Sequence, residues 1–294
     1  MKIILSRKGF DSRAGGYASP IMPDGELLSL PIPVMGEGER GIAYGDLYFG
    51  DQPLDQIICQ LTNGALRDRE AHLDPDLDRE RFPRRDPNWR PAFGQGGSAQ
   101  GHLRNQDVGE GDLFLFYGWF RQTENEETPL QYVRPFRDMH VIFGWLQVGR
   151  TVTVGRDDIP NWLGDHPHVV NAHQAEYGIN NTIYIASGQL ALNEHRMEQD
   201  GAGAFSHFNE RLRLTAPDEI RRSYWRLPSW LCPFGDPHRP PLTYHGNMNR
   251  WTLEDGHVML RSASPGQEFV FDTEDYPEAM QWLEGLFEGG VGNG

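Results

Sequence analysis

Lysine is almost missing from this chain. Of its 27 basic residues only Lys2 and Lys8 are lysines; the rest are arginines. A bias this strong fits a GC-rich coding sequence, so a lysine inside a polar loop stands out. Cysteine is as scarce. Cys59 and Cys232 lie far apart and no Cys-x-x-Cys occurs. The chain therefore reads as a reduced, intracellular protein, and "IICQL" and "WLCPFG" read as settings for buried thiols rather than nucleophiles. No 18-residue apolar stretch and no N-terminal apolar run with a cleavage site is present, so the expectation is a cytoplasmic protein without a membrane anchor. Positive charge is also short. The formal net charge of −15 argues against a broad cationic surface that grips nucleic acid through phosphates alone, and leaves room only for a local basic groove. Internal repeats and heptads are missing too.

Turn formers and aromatics are plentiful. With 34 glycines, 21 prolines and eight tryptophans in 294 residues, the composition favours many turns and short strands around an ample core. "KIILS" reads as a strand, and "ELLSLPIP" as a short strand closed by prolines. "PLDQIICQLTNG" reads as a short helix ending near Gly64. Residues 65–110 show little periodicity and read as an ordered loop draped over the body. "GDLFLFYGWFR" is an apolar strand, and "MHVIFGWLQVGRTVTV" is one long strand or a bent pair. "DDIPNWLGD" suits a short helix with Pro160 in its first turn. "NNTIYIAS", the end of "AFSHFNERLRLT" and "WTLEDGHVMLRSASPGQEFVFD" read as strands, the last with tight turns at "EDG" and "SPG". "YPEAMQWLEGLFEG" is an amphipathic helix. The sum is an α+β fold: a curved mixed or barrel-like sheet, few short helices and long loops, in one domain over residues 1–294.

Several stretches carry chemistry. In "SRKGFDSRAGG" a strand feeds a Gly-rich turn that can offer backbone N–H groups to an anion. Lys8, Ser12 and Arg13 would add charge and a hydroxyl, and Asp11 would orient a sugar hydroxyl or act as acid or base. The plain alternative is an exposed hairpin. In "GQGGSAQGHLRNQ", Gln95, Gln100, His102, Asn105 and Gln106 can donate and accept toward base edges or ribose hydroxyls, or stitch their own loop. Trp119 and Trp145 follow glycines on apolar strands, where they are core or a stacking surface, with Arg121 at the rim. "RSASPGQEFVFD" places Arg261, Gln267 and Glu268 on a hairpin. A carboxylate just before an apolar strand is either paired or catalytic. His72 and Asp74 form a His-x-Asp; with His257 and Arg261 it would suit an iron site, but such pairs arise by chance in a chain with 11 histidines. His166, His168 and His173 are crowded, yet a proline turn with packing histidines accounts for them. No metal ligand or cofactor is assigned from the sequence.

Taken together, "SRKGFDSRAGG", "LPIP", "GQGGSAQGHLRNQ", "GDLFLFYGWFR", "HVIFGWLQVG", "NNTIYIA" and "GQEFVFD" resemble the third of the nucleotide modification associated domain families. The resemblance spans nearly the whole chain. It implies work beside enzymes that modify DNA bases, and supplies no catalytic residues. The middle, "VGEGDLFLFYGWFR…HVIFGWLQVG", is similar to EVE and other PUA-like domains. That implies a PUA-like core at 107–190 with an aromatic pocket for a modified base. Two functions follow. One is an enzyme on a nucleotide or exposed base, with Asp11 and Glu268 as acid or base and Lys8, Ser12 and Arg13 on phosphate or sugar. The other is a reader that stacks a modified base on Trp119 and Trp145. The charge favours a free nucleotide, or a DNA-bound partner such as another base-modification enzyme, over autonomous duplex binding through "RERFPRRDPNWR".

Overall fold

The computed structural model describes residues 1–125, 129–174, 177–178, 180–192, 195–234, 239–254, 256–263 and 268–288. Nine strands make one mixed sheet. In chain order they are β1 (Lys2–Arg7), β2 (Ser19–Ile21), β3 (Ala92–Gln95), β4 (Leu113–Glu124), β5 (Gln131–Tyr132), β6 (Met139–Thr153), β7 (Thr182–Ala186), β8 (Ala202–Ala204) and β12 (Glu268–Asp272). A second sheet holds β9 (Tyr224–Pro228), β10 (Trp251–Glu254) and β11 (His257–Arg261), in the order β9-β11-β10. The main path runs β12-β1-β4-β6-β7-β3, with β2 and β5 on β4 and β8 on β6. β1 is parallel to β4 and antiparallel to β12.

β4 and β6 are buried almost throughout, which explains why they read as continuous apolar runs instead of alternating ones. β6 is one long strand, bent by register shifts between Ile142 and Gly144 and between Val148 and Arg150. Such bulges add bend and twist. Its first part pairs with β4 and its last part with β7. The sheet curls so far that its two end strands meet: Gln95 on β3 donates a side-chain hydrogen bond to Glu268 on β12. No ladder joins these strands among the described residues, so the sheet is barrel-like but open. Within residues 107–190 lie β4, β5, β6 and β7, which share this one open sheet with β1, β3 and β12.

Phe93, Phe114, Phe116 and Tyr184 fill the inside of the curl, with ring centroids 4.9–6.0 Å apart. Among the described residues four α-helices flank the sheets: α1 (Leu54–Thr62), α2 (Gly97–Asn105), the single turn α3 (Pro167–Val170) and α4 (Ala279–Phe287). α1 buries Leu54, Ile57, Ile58 and Leu61 in a second core with Phe10, Leu30 and Tyr44. Among the described residues no helix is long and apolar enough to cross a membrane.

Three expectations need correction. "ELLSLPIP" forms isolated bridges rather than a strand, because Pro31 and Pro33 bring no N–H to a ladder. The end of "AFSHFNERLRLT" likewise makes only bridges, through Arg213 and Thr215. The supposed loop at 65–110 contains β3 and α2. The "SPG" turn lies outside the described residues.

Candidate functional site

The site is built around β3, with one cluster on each face. On the inner face sits Glu268, 3% exposed. It pairs with Ser6 across β1 and β12, and Lys8, two residues on, faces the same way because side chains alternate along an extended chain. Lys8 Nζ lies 3.0 Å from Glu268 Oε1 and 4.5 Å from the centroid of Phe93. Gln95, two residues after Phe93, shares that face and reaches the same oxygen. Glu268 Oε2 and the buried hydroxyl of Ser6 have no hydrogen-bond partner among the described residues. Beside them, His102 Nε2 is 3.3 Å from Thr243 Oγ1, and its ring packs 4.6 Å from Tyr244. Burial lowers the His102 pKa, against the pull of the Glu268 carboxylate.

On the outer face, residues 72–76 run beside β3. Asp76 exchanges backbone hydrogen bonds with Ala92, and the amide of Gly94 donates to Asp74 Oδ1 at 2.8 Å. His72, Asp74 and His168 bring a ligand atom each to within 4.8 Å of one another. His168 reaches this point only because position 94 is glycine: a Cβ there would lie 2.3 Å from the imidazole. Burial pushes the Asp74 carboxyl up, but His166, His168 and His72 outweigh it and hold it at about 2. The hydrogen bond from His72 holds Glu39 at about 2, against its own burial. Burial lowers His168 to about 4.

A cavity of about 300 Å³ lies beside the end of β3, with Glu39, His72, His168, Tyr177, Gln95 and Gly96 among its lining residues. Gln95 accepts from the Gly96 amide while donating to Glu268. The residue that hydrogen-bonds Glu268 is thus also one of those that line the cavity.

The other sequence candidates disperse. Asp11 shapes its own loop, accepting from the Arg13 and Ala14 amides and pairing with Arg7 at 3.1 Å. Phe10 is buried and anchors that loop in the second core. Arg13 is exposed, and Ser12 accepts from Arg222. Trp119 donates to Asp138 and has Arg222 and Arg121 over its ring at 4.2 and 5.0 Å. Arg121 also pairs with Asp138. Trp145 packs between Phe205 and Phe287 and donates to the Asp200 carbonyl. Asn105 and Gln106 close α2. Arg261 lies on the second sheet and donates to the Asn249 carbonyl. Gln267 falls outside the described residues. Of the "RERFPRRDPNWR" arginines, Arg85 is bound by Asp76 and stacked on Trp89, and Arg81 by Asp78 and the Tyr48 carbonyl.

The convergence of His72, Asp74 and His168 escaped the sequence reading, as did the link from Gln95 to Glu268. The available signals were the His-x-Asp pair and the crowded histidines at 166–173, which become one cluster only when β3 brings them together.

Fold and site define an α+β protein whose open, curled sheet has its end strands linked by side chains, with a cavity beside β3. The family model for nucleotide modification associated domain 3 matches residues 2–272, and the chain belongs to that family. That membership suggests a part in nucleotide modification. No curated protein and no solved structure matches the chain.

Proposed function

We propose that this protein is an enzyme of a nucleic-acid base-modification pathway that takes a nucleotide or an exposed base into the cleft beside β3. The observation that carries this reading is the convergence of Lys8 and Glu268 from distant parts of the chain. A carboxylate buried beside a cation, with one oxygen unpartnered among the described residues, is equipped to move a proton. Glu268 serves as acid or base, and Lys8 holds its charge in place and faces phosphate or sugar oxygens. Gln95 presents Glu268 to the cavity, and His102 stands at its flank. Asp11 acts by shaping the loop that carries Lys8. The net charge of −15 favours a free nucleotide, or a base presented by a DNA-bound partner, over duplex binding by this chain alone.

Calorimetric titration with nucleoside monophosphates and with modified and unmodified oligonucleotides tests it. Binding of a nucleotide that weakens in Lys8→Met supports the reading. Discrimination between oligonucleotides that is indifferent to Lys8 and Glu268 would point to a reader instead.

A further inference from the structure

The outer-face cluster poses a problem of charge. His72 Nδ1 lies 3.2 Å from Glu39 Oε1. The Tyr177 hydroxyl lies 3.0 Å from the same carboxylate oxygen and 3.4 Å from His72 Nδ1; a carboxylate has no proton to give, so His72 donates to Glu39 and its proton sits on Nδ1. His168 Nδ1 lies 2.7 Å from Asn181 Oδ1. The Asn181 amide is fixed by its donation to the His168 carbonyl at 2.8 Å, so Asn181 Oδ1 accepts and His168 also carries its proton on Nδ1. Both Nε2 lone pairs are then left facing Asp74 Oδ2, at 3.9 and 3.6 Å. Three acceptor atoms converge with no donor between them among the described residues, too far apart for hydrogen bonds to one another.

The third imidazole differs. His166 Nδ1 accepts from the His168 amide at 3.2 Å, so its proton is on Nε2. That nitrogen faces the other carboxylate oxygen, Asp74 Oδ1, at 3.5 Å. His166 and the Gly94 amide therefore position Asp74 from one side while its Oδ2 is left to the two lone pairs.

We propose that His72 Nε2, His168 Nε2 and Asp74 Oδ2 bind a divalent first-row transition-metal ion. Two imidazoles and one carboxylate suit zinc, iron or cobalt rather than magnesium or calcium, which prefer all-oxygen sites. Three protein ligands leave coordination positions open, as in catalytic rather than structural sites. Here the open side is the cavity that His72 and His168 line. Glu39 and Asn181 orient the two imidazoles through their other nitrogens, the usual arrangement around metal-bound histidine.

The test uses the full chain stripped with chelator and titrated with Co(II), Zn(II) and Mg(II), with no nucleotide present. Its failure is thus distinct from failure of the nucleotide reading. The expected result is one equivalent of Co(II) with a visible ligand-field spectrum, displaced by Zn(II) and indifferent to Mg(II). His168→Ala should abolish that spectrum, and Glu39→Gln should weaken binding about 10- to 100-fold. Absence of the one-equivalent spectrum in the wild type, or its persistence in folded His168→Ala, overturns the proposal. Where variants do not fold, wild-type unfolding decides. Zn(II) should raise the midpoint and Mg(II) should not; no rise with Zn(II) overturns the site.

Discussion

Gln95 and Glu268 belong to the two end strands of the main sheet's path, and their side chains are hydrogen-bonded to each other. This bond stands where a closed barrel would have a backbone ladder. Gln95 also lines the cavity beside β3, so one side chain links that cavity to Glu268.

The Lys8–Glu268 pair should therefore matter for stability as well as for chemistry. Removing one member strands the other in a poorly solvated place. Lys8→Met should cost about 3 kcal/mol, the low end for broken buried pairs because Lys8 is only partly covered. The double variant Lys8→Met/Glu268→Gln should cost less than the sum of the single changes. Urea unfolding of all three variants measures this coupling; strict additivity would mean that the two groups do not interact.

Asp11 gives a contrasting expectation. Its carboxylate accepts two amides of its own turn, so Asp11→Ala should lose about 1 kcal/mol, the worth of such a local bond. Turnover per folded molecule should be kept. A stability unchanged in denaturant titration would show that the loop does not depend on this side chain.

Gly94 is predicted to resist any side chain. Gly94→Ala places a methyl group against the buried imidazole of His168, and overpacking of this kind costs about 1–3 kcal/mol. Thermal unfolding should show a clear drop in midpoint, whereas Gly188→Ala, where a Cβ meets nothing within 4 Å, should change little.

Acid should loosen the region around the second sheet. His245 is buried, its Nδ1 facing the Thr243 carbonyl and its Nε2 accepting from the Ala263 amide. Burial lowers its pKa from 6.5 to about 4. The unfolded chain therefore takes up a proton near pH 6.5 that the native protein refuses until about pH 4. Stability from this group is complete above pH 6.5 and declines as pH falls toward 4. Burial lowers His140 and His168 in the same direction. Denaturant midpoints between pH 7.5 and 4.5 should fall, and less steeply in His245→Gln.

Much of this fold was legible because it rests on local signals. Leu113–Glu124 and Met139–Thr153 are continuous apolar runs, and α1 and α4 have clear apolar faces. Other parts depend on partners far along the chain. β3 is only four residues, Ala-Phe-Gly-Gln, and its identity as a strand comes from pairing with β7. α2 carries two glycines and few apolar residues, so its helical form is set by packing of Gln100 and Leu103 rather than by propensity. Lys8 and Glu268 were each conspicuous, but their meeting is set by the β1–β12 register. Trp119 and Trp145 each follow a glycine on an apolar strand, and only their neighbours separate them: Phe205 and Phe287 around Trp145, Arg121 and Arg222 over Trp119.

The central claim is that Glu268 works on a nucleotide or base held in the cleft beside β3. Its most direct test is nucleoside mass spectrometry after incubation of wild-type and Glu268→Gln protein with nucleotides and single-stranded DNA, with and without divalent transition metals. The account predicts a changed nucleoside with the wild type and none with a folded Glu268→Gln variant. An unchanged nucleoside pool with the wild type under every condition, or the same product from the variant, would contradict it.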